Sequence, residues 1–165
     1  MFRHLFIFLF VLSLAFSQTK IIDIKSEKSL SERITDGNFG YVLNGVFVEG
    51  KFPERPDQNY QVKYKLFHFN KTLSSEEVIK LIKKQGFEPA SIYELLAFAE
   101  VQPDLQETFP IVSLGSGISN FPKGSYWVPV LDSYESKRML RLSWFGEDYA
   151  RWPIKYRFLG ICKLN

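Results

Sequence analysis

The chain has few of the residues that support metal binding, covalent catalysis or disulfide bonding. It contains one cysteine and two histidines in 165 residues. His4 falls in an apolar N-terminal segment, so His68 is the only histidine beyond it. One histidine cannot build a histidine-rich zinc site or a metalloprotease motif, and Cys162 has no partner for an internal disulfide. We therefore predict no metal, no cofactor and no catalytic residues, and we expect His68 to be structural.

Signals for nucleic-acid binding and for hydrolysis are also missing. The net charge is only +3 and the basic residues are scattered, which predicts no nucleic-acid surface. There is no Gly-x-Ser-x-Gly elbow, and Gly115-Ser116-Gly117 has the wrong spacing for one. Glycosidase chemistry needs two carboxylates at a set separation across a cleft, a relationship that a sequence alone does not reveal.

The first seventeen residues, MFRHLFIFLFVLSLAFS, have the features of a secretory signal peptide. A basic start precedes an apolar run, and Ala15 and Ser17 are small residues at the two signal-peptidase positions. The alternative is an uncleaved anchor, but the run from Leu5 to Phe16 is shorter than the roughly 20 residues that a membrane span needs. We predict cleavage before Gln18 and a secreted, periplasmic or cell-surface protein, with membrane contact only through this segment if it is retained.

The remaining chain has the length of one domain. In residues 18–59, the stretch SEKSLSERITDG has serine caps and a closing glycine that predict a short helix. Asn44-Gly45 between apolar triplets is typical of a two-residue hairpin, and the two prolines in 51–59 indicate a connector. Residues 60–165 form the main part of the predicted domain.

Two short helices follow a strand in this main part. Residues 60–66 alternate apolar and polar side chains, as a half-buried strand does, and the strand becomes apolar on both faces at Phe67 and Phe69. Ser74 and Glu77 then have the spacing of a capping box, and Gly86 is placed to end the helix in a left-handed turn. Pro89 forces an extended step, and the sequence from Ser91 to Glu94 repeats the capping pattern before a second helix.

The C-terminal part has the composition of strands. They are predicted at 110–114, 126–131, 139–145 and 156–163. Pro129 should keep the second of these strands away from a central position in the sheet. Cys162 lies in the last of them, where a free cysteine is usually buried.

These elements resemble the C-type-lectin-like fold. The resemblance rests on LSSEEVIKLIKKQGFEPASIYELL for two helices, SYWVPVLDSYESKRMLRLSWF for a tryptophan hairpin and YRFLGICK for a terminal strand. It implies an α+β fold in which two short helices pack on a mostly antiparallel twisted sheet whose first and last strands pair. Cys162 resembles the family cysteine that normally pairs back to the first helix. Because it lacks disulfides, the chain most resembles the bacterial and phage members of the family, including the variable domains of diversity-generating retroelements.

Two further comparisons refine the resemblance. The stretches GNFGYVLNGVFVEGKFP and ASIYELLAFAEVQPDLQETFPIVSLGS are similar to short uncharacterised exported proteins of small-genome bacteria, which implies no activity. Gln102-Pro103-Asp104 matches the tripeptide that sugar-binding lectins of this fold use for calcium and galactose. Here it ends a predicted helix instead of lying in the long loop, and Tyr126-Trp127-Val128-Pro129 replaces the partner motif, so we interpret it as a helix stop.

Aromatic residues are concentrated between positions 126 and 152, beside several arginines. Strand alternation places Trp144 on one face with Leu140 and Leu142 and predicts that it is buried. Exposed rings beside arginines suit contact with a protein or a glycan, and the carboxylates in the predicted turn could accept hydrogen bonds, although such pairs are usually only solvated. The predicted contact residues are Tyr134, Glu147, Asp148, Tyr149, Arg151 and Trp152. The alternative is that the rings only cover the ends of the sheet.

The sequence thus predicts a secreted, non-catalytic module that binds a protein or glycan ligand. One alternative is a structural protein of the cell envelope without a small ligand. The other is an enzyme of the formylglycine-generating branch of the fold, which would need catalytic cysteine or metal sites. The single cysteine, in a predicted strand, gives this alternative little support.

Overall fold

The chain folds as an α+β structure in which the strands form one large sheet. The computed structural model describes residues 20–53, 56–120, 125–145 and 151–164. The helices in these ranges are α1 (Leu30–Asp36), α2 (Ser75–Lys84), α3 (Ile92–Val101) and α4 (Leu105–Thr108). The strands are β1 (Lys20–Ile24), β2 (Tyr41–Val42), β3 (Tyr60–Phe67), β4 (Glu88–Pro89), β5 (Ile111–Val112), β6 (Ile118–Asn120), β7 (Ser125–Tyr134), β8 (Lys137–Trp144) and β9 (Arg157–Lys163).

The sheet is mostly antiparallel and has a long path. Its order is β1-β3-β9-β5-β7-β8-β2, with β4 added to β9 and β6 added to β7. The β5/β9 and β2/β8 pairs are parallel. β3 and β9 pair from Val62↔Lys163 to Phe67↔Phe158, so the expected contact between these two strands is present. β1 and β2, which come from the segment before residue 60, form the two ends of the path.

Local capping signals fix the three longer helices. Complete capping boxes join Ser29 to Glu32, Ser74 to Glu77 and Ser91 to Glu94. Gly86 follows α2 with φ of +80°, the left-handed conformation predicted for it. No helix within the described ranges is long and apolar enough to cross a membrane.

The sheet has a hydrophobic core on each face, because alternate strand residues point to opposite sides. On one face, Leu131 and Leu159 lie in a cluster with the residues of α3, most of which are buried. On the other, Val130 and Phe158 lie in a cluster with Val78 and Ile82 of α2. The two helices joined by the Gly86 to Pro89 elbow therefore cover opposite faces of one sheet.

The predicted hairpin at Asn44-Gly45 is wrong, although the turn is present. Gly45 has φ of +70°, yet only β2 precedes it and no strand follows it directly. Phe47 and Phe52, beyond the turn, are both buried and stack with ring centroids 5.6 Å apart. The second apolar stretch packs as side chains in the core, and β2 pairs with β8 instead.

The expected position of Pro129 is also wrong, because β7 lies between β5 and β8. The Pro129 carbonyl accepts a hydrogen bond from Ser113 N over 3.1 Å, so its nitrogen faces the same side. On that side, β5 pairs with β7 at Val130 and β6 pairs with it at Trp127. A central strand tolerates the missing N–H here because Pro129 faces the junction between two short partners.

Candidate functional site

Tyr134 ends β7 at the tight turn of the β7–β8 hairpin. It pairs with Lys137 across Glu135 and Ser136, whose φ angles are 48° and 60°. Positive φ at both central residues is the signature of a type I′ hairpin turn. The Tyr134 side chain is 66% exposed, which confirms the exposure that the sequence predicted.

Trp152 is buried, so the prediction of an exposed ring is wrong at this position. Only 5% of its surface is accessible. Its backbone N–H donates to Leu73 O over 2.8 Å, and its indole Nε1 donates to Ser75 Oγ over 2.9 Å. The ring also lies 5.8 Å from the ring of Phe158. The segment that carries Trp152 docks on the start of α2, which places the indole in the core.

Arg151 is exposed and forms part of the same docking contact. Its guanidinium donates to Glu77 Oε2 over 2.8 Å and to Thr72 O over 3.0 Å. Glu77 also closes the α2 capping box with Ser74. The hydrogen bond from the Ser74 backbone lowers the pKa of Glu77, and the charge of Arg151 lowers it further. The arginine thus already has acceptors in the folded chain.

The structure does not gather the predicted contact residues into one patch. Trp152 is joined through Ser75 to the carbonyl of Phe145, which lies at the open end of the hairpin. Tyr134 lies at the other end of the ten-residue strand β7, roughly 25 Å or more away at about 3.3 Å per residue. Glu147, Asp148 and Tyr149 lie outside the described residues.

Four other rings lie at the open end of the hairpin, and we call this set the aromatic end: Tyr126, Trp127, Trp144 and Phe145. Trp127 lies directly opposite Trp144 in the β7–β8 ladder. Tyr126 and Phe145 contact each other edge to face, with ring centroids 5.3 Å apart. Because adjacent residues alternate sides, the two pairs lie on opposite faces of the hairpin.

The exposure of Trp144 contradicts the prediction that it is buried. Its expected face is correct, because Leu140 and Leu142 on the same face both contribute to the core. Burial falls along β8, however, from 0% exposure at Leu140 to 41% at Trp144. Alternation assigned the right face, but Trp144 is the last residue of the strand.

The aromatic end is held by close backbone contacts. A Cβ on Gly117 would lie 2.3 Å from the Trp127 carbonyl oxygen and 2.9 Å from the ring of Tyr126, so only glycine fits there. Ser75 Oγ donates to Phe145 O over 3.0 Å. Burial raises the pKa of Tyr126, with a smaller opposing effect from the Gly117 backbone. Rings fixed in this way lose little further freedom when a ligand binds.

The residues considered for catalysis and metal binding lie apart from the aromatic end. His68 is exposed, and its Nε2 donates to Ile154 O over 3.1 Å. Cys162 is partly exposed, which contradicts its predicted burial; its face of β9 is buried at Phe158 and Gly160, and the burial ends before Cys162 near the end of the strand. Gln102 to Asp104 form the turn from α3 to α4. Within the described residues, no three His, Cys, Asp or Glu side chains cluster as metal ligands would.

A buried carboxylate that the sequence did not single out as functional lies beside a polar cavity of about 630 Å³. Glu94 is 4% exposed. It accepts hydrogen bonds from Ser91 N over 2.6 Å, from the Ser91 hydroxyl and from the Tyr60 hydroxyl. Burial, followed by the charge of Glu94, raises the pKa of Tyr60. Both carboxylate oxygens accept hydrogen bonds from protein donors, so Glu94 stabilises the start of α3.

Comparison of the chain with protein-family models, curated proteins and solved structures finds no match.

Proposed function

We propose that this chain is a secreted, non-catalytic binding module of the C-type-lectin-like fold, which contacts a protein or glycan ligand through its aromatic end. Support for the fold comes from three features that occur together. β3 pairs with β9, two capped helices flank the Gly86 to Pro89 elbow, and a long hairpin carries Trp127 and Trp144. Support for export comes from the first seventeen residues alone.

The exposure of Trp144 carries the functional part of the proposal. Large apolar side chains left in contact with water mark interaction surfaces when they lie together, and tryptophan and tyrosine contribute strongly to binding. Trp144 is 41% exposed and adjoins Trp127, which is half-buried. Both rings belong to a paired ladder, so the protein holds them in place before a ligand arrives.

Arg151 supplies a charged group close to the aromatic end. It binds Glu77 in the first turn of α2, and Ser75 in the same turn binds the Phe145 carbonyl. An arginine beside aromatic rings can donate hydrogen bonds to a sugar or to the polar groups of a protein surface. Tyr134 is too distant to contribute to this surface, and the roles of Glu147, Asp148 and Tyr149 stay predictions.

The proposal is tested by binding of the purified protein to a glycan array and to an array of extracellular proteins. We expect at least one ligand on the arrays to bind the protein, and we expect the Trp144→Ala variant not to bind that ligand. Tyr134→Ala is the matched control, because it removes a ring at the other end of the hairpin that is also exposed. Binding that survives Trp144→Ala, or that depends only on Tyr134, would contradict the proposed surface.

A structural role in the cell envelope is the second candidate. It is favoured by three polar side chains that already form hydrogen bonds within the protein: Trp152, Arg151 and Glu94. In that case neither array retains the protein, and it is recovered with the envelope fraction of the cell whether or not Trp144 is replaced.

A further inference from the structure

The strand β1 forms an open edge of the sheet. Within the described residues, β1 pairs with β3 and with no other strand. It has five residues, Lys20–Ile24, which span about 17 Å at roughly 3.3 Å per residue. The strand at the other end of the sheet path, β2, has only two residues. β1 is therefore the longer of the two terminal strands.

The hydrogen-bond register of β3 shows which of its residues bond to β1. Leu164 N donates to Gln61 O, so Gln61 directs its backbone groups to the β9 side. Neighbouring residues of a strand alternate between its two edges in this respect. Val62 therefore directs its backbone groups to β1, where it lies opposite Ile22.

The same alternation leaves two residues of β1 with backbone groups that point outwards. Ile22 and Ile24 bond to β3, so the N–H and C=O groups of Ile21 and Asp23 point away from the sheet. No backbone hydrogen bond of these outward groups is found within the described residues. Such a row of free donors and acceptors is a template for one more strand.

A groove of about 320 Å³ follows this edge, between β1 and α3. Its lining includes Ile21, Ile22 and Asp23, which lie on both faces of β1, together with Ala97 and Val101 of α3. Val101 is 50% exposed and Ile21 is 52% exposed. Ile22 points to the α3 side and Ile21 to the other side, so an added strand would place alternate side chains against Val101 and against Ile21.

The two ends of β1 carry lysines that have no ion pair. None of the ion pairs found within the described residues involves Lys20 or Lys25. Between them, Asp23 accepts a hydrogen bond from Gln61 Nε2 over 2.6 Å. Opposite charges that face each other across a strand pair are stabilising. A second copy of β1 would add two more lysines to this edge, so a segment with acidic ends suits it better.

We propose that the edge of β1 binds an extended segment of a partner protein, which adds to the sheet as an antiparallel strand. The segment is apolar at its centre and acidic near both ends, and its backbone bonds to Ile21 and Asp23. A central side chain enters the groove beside Val101, and the acidic residues lie opposite Lys20 and Lys25. In recognition of this kind, main-chain hydrogen bonds provide affinity and side-chain pockets provide specificity. This site does not depend on the function proposed above.

The probe for this site is the peptide acetyl-Glu-Val-Lys-Val-Thr-Glu-amide, whose residues lie opposite residues 25 to 20 in turn. It is titrated into the ¹⁵N-labelled protein, expressed from the full coding chain. We expect it to shift the amide signals of Ile21 and Asp23 and to slow their exchange with water. The amides of Ile22 and Ile24 already bond to β3, so their exchange should not change.

Methylation of the peptide backbone provides matched controls. In the antiparallel register, the N–H groups of the peptide lysine and threonine point to β1, and those of its two valines point away. N-methylation of the lysine and threonine should weaken binding about tenfold or more, because two hydrogen bonds are lost. N-methylation of both valines should leave the affinity almost unchanged. An equal effect of the two modifications would overturn the proposal.

A substitution in β1 tests the same contact from the side of the protein. Ile21→Pro removes an outward N–H but no hydrogen bond to β3, and edge strands tolerate proline at such positions. We expect it to weaken binding of the probe severalfold. Ile21→Val keeps the N–H and should bind as the unchanged protein does. The methylated peptides decide the question even if Ile21→Pro fails to fold.

The charge preference and the choice of occupant are tested with the same titration. Replacement of both peptide glutamates by lysine should weaken binding severalfold, because like charges then lie opposite Lys20 and Lys25. No binding of the acidic peptide, equal binding of the two peptides, or shifts confined to other parts of the protein would overturn the proposal. Signals of Ile21 and Asp23 that shift with protein concentration alone would also overturn it, since the edge would then bind a second copy.

Discussion

The indole of Trp152 donates its Nε1 proton to Ser75 Oγ over 2.9 Å inside the core. Ser75 is fully buried, and its hydroxyl donates in turn to the carbonyl of Phe145. One hydroxyl therefore connects three parts of the chain: the segment that carries Trp152, the start of α2 and the residue that follows β8. The stability of the aromatic end depends on this connection.

Replacing Ser75 by alanine should destabilise the protein by about 1–3 kcal/mol, because Trp152 Nε1 and the Phe145 carbonyl are then left short of a partner in the core. Alanine is a good helix residue, so α2 itself should persist. Urea unfolding monitored by tryptophan fluorescence measures the loss. Ser119→Ala is the control, since Ser119 is exposed on β6, and an equal loss in both variants would contradict the role of Ser75.

The two tryptophans at the open end should respond differently to truncation. Trp152→Ala removes a buried ring and should cost about 3–5 kcal/mol. Trp144→Ala removes a partly exposed ring and a cross-strand contact with Trp127, which should cost about 1 kcal/mol or less. Thermal unfolding followed by circular dichroism compares them. Comparable losses would show that Trp144 serves the fold as much as Trp152 does.

Tyr60→Phe should destabilise the start of α3. The Tyr60 hydroxyl donates to the buried Glu94 carboxylate, and loss of a hydrogen bond to a charged group typically costs about 1.5–3 kcal/mol. Tyr134→Phe makes the same chemical change at an exposed position and should alter the free energy of unfolding by less than about 0.5 kcal/mol. Chemical denaturation of both variants measures the two free energies of unfolding. Equal denaturation midpoints for the two variants would argue against a structural role of the Glu94 hydrogen bonds.

Glu77 should contribute to stability in a pH-dependent way. The Ser74 backbone, followed by Arg151, holds its pKa below the ordinary value. A carboxyl group whose pKa is lowered by folding stabilises the folded state above its unfolded pKa and ceases to do so as the pH falls through the folded value. Glu77→Gln can keep the capping box but loses the charge.

We therefore expect Glu77→Gln to lower the Tm slightly at neutral pH, and the difference should shrink as the pH falls below about 4.5. Differential scanning calorimetry across this range measures it. Glu76→Gln is the control, because Glu76 lies in the same helical turn but is not the glutamate of the capping box. A deficit of Glu77→Gln that does not change with pH would rule out the charge as its cause.

Features set by neighbouring residues were predictable from the sequence. The capping boxes at Ser74 and Ser91, and the positive φ of Gly86, each depend on contacts within a few residues. The alternation in β3 also specified which of its residues are buried. Such patterns are visible in the chain because the interactions that produce them are local.

Features set by distant parts of the chain were not predictable. β1 has no turn signal that marks it, and its strand conformation depends on pairing with β3. Alternation cannot tell where a sheet stops being covered, so Trp144 was expected in the core. Trp152 was expected to be exposed because it lies in a predicted loop, and its burial depends on contacts with the distant residues Leu73 and Ser75. Among the described residues, Arg33 Nε is left unpaired where α1, β1 and α3 pack together. No residue spacing in the sequence indicates that these three elements come together.

The position of β9 has a consequence for the time at which the chain can fold. This strand is the last in the described sequence, but it lies between β3 and β5 and also carries β4. During synthesis, the two halves of the sheet have no common partner until residues 157–163 emerge, and such distant pairings form slowly. The sheet therefore cannot close until the strand that joins its two halves has been made.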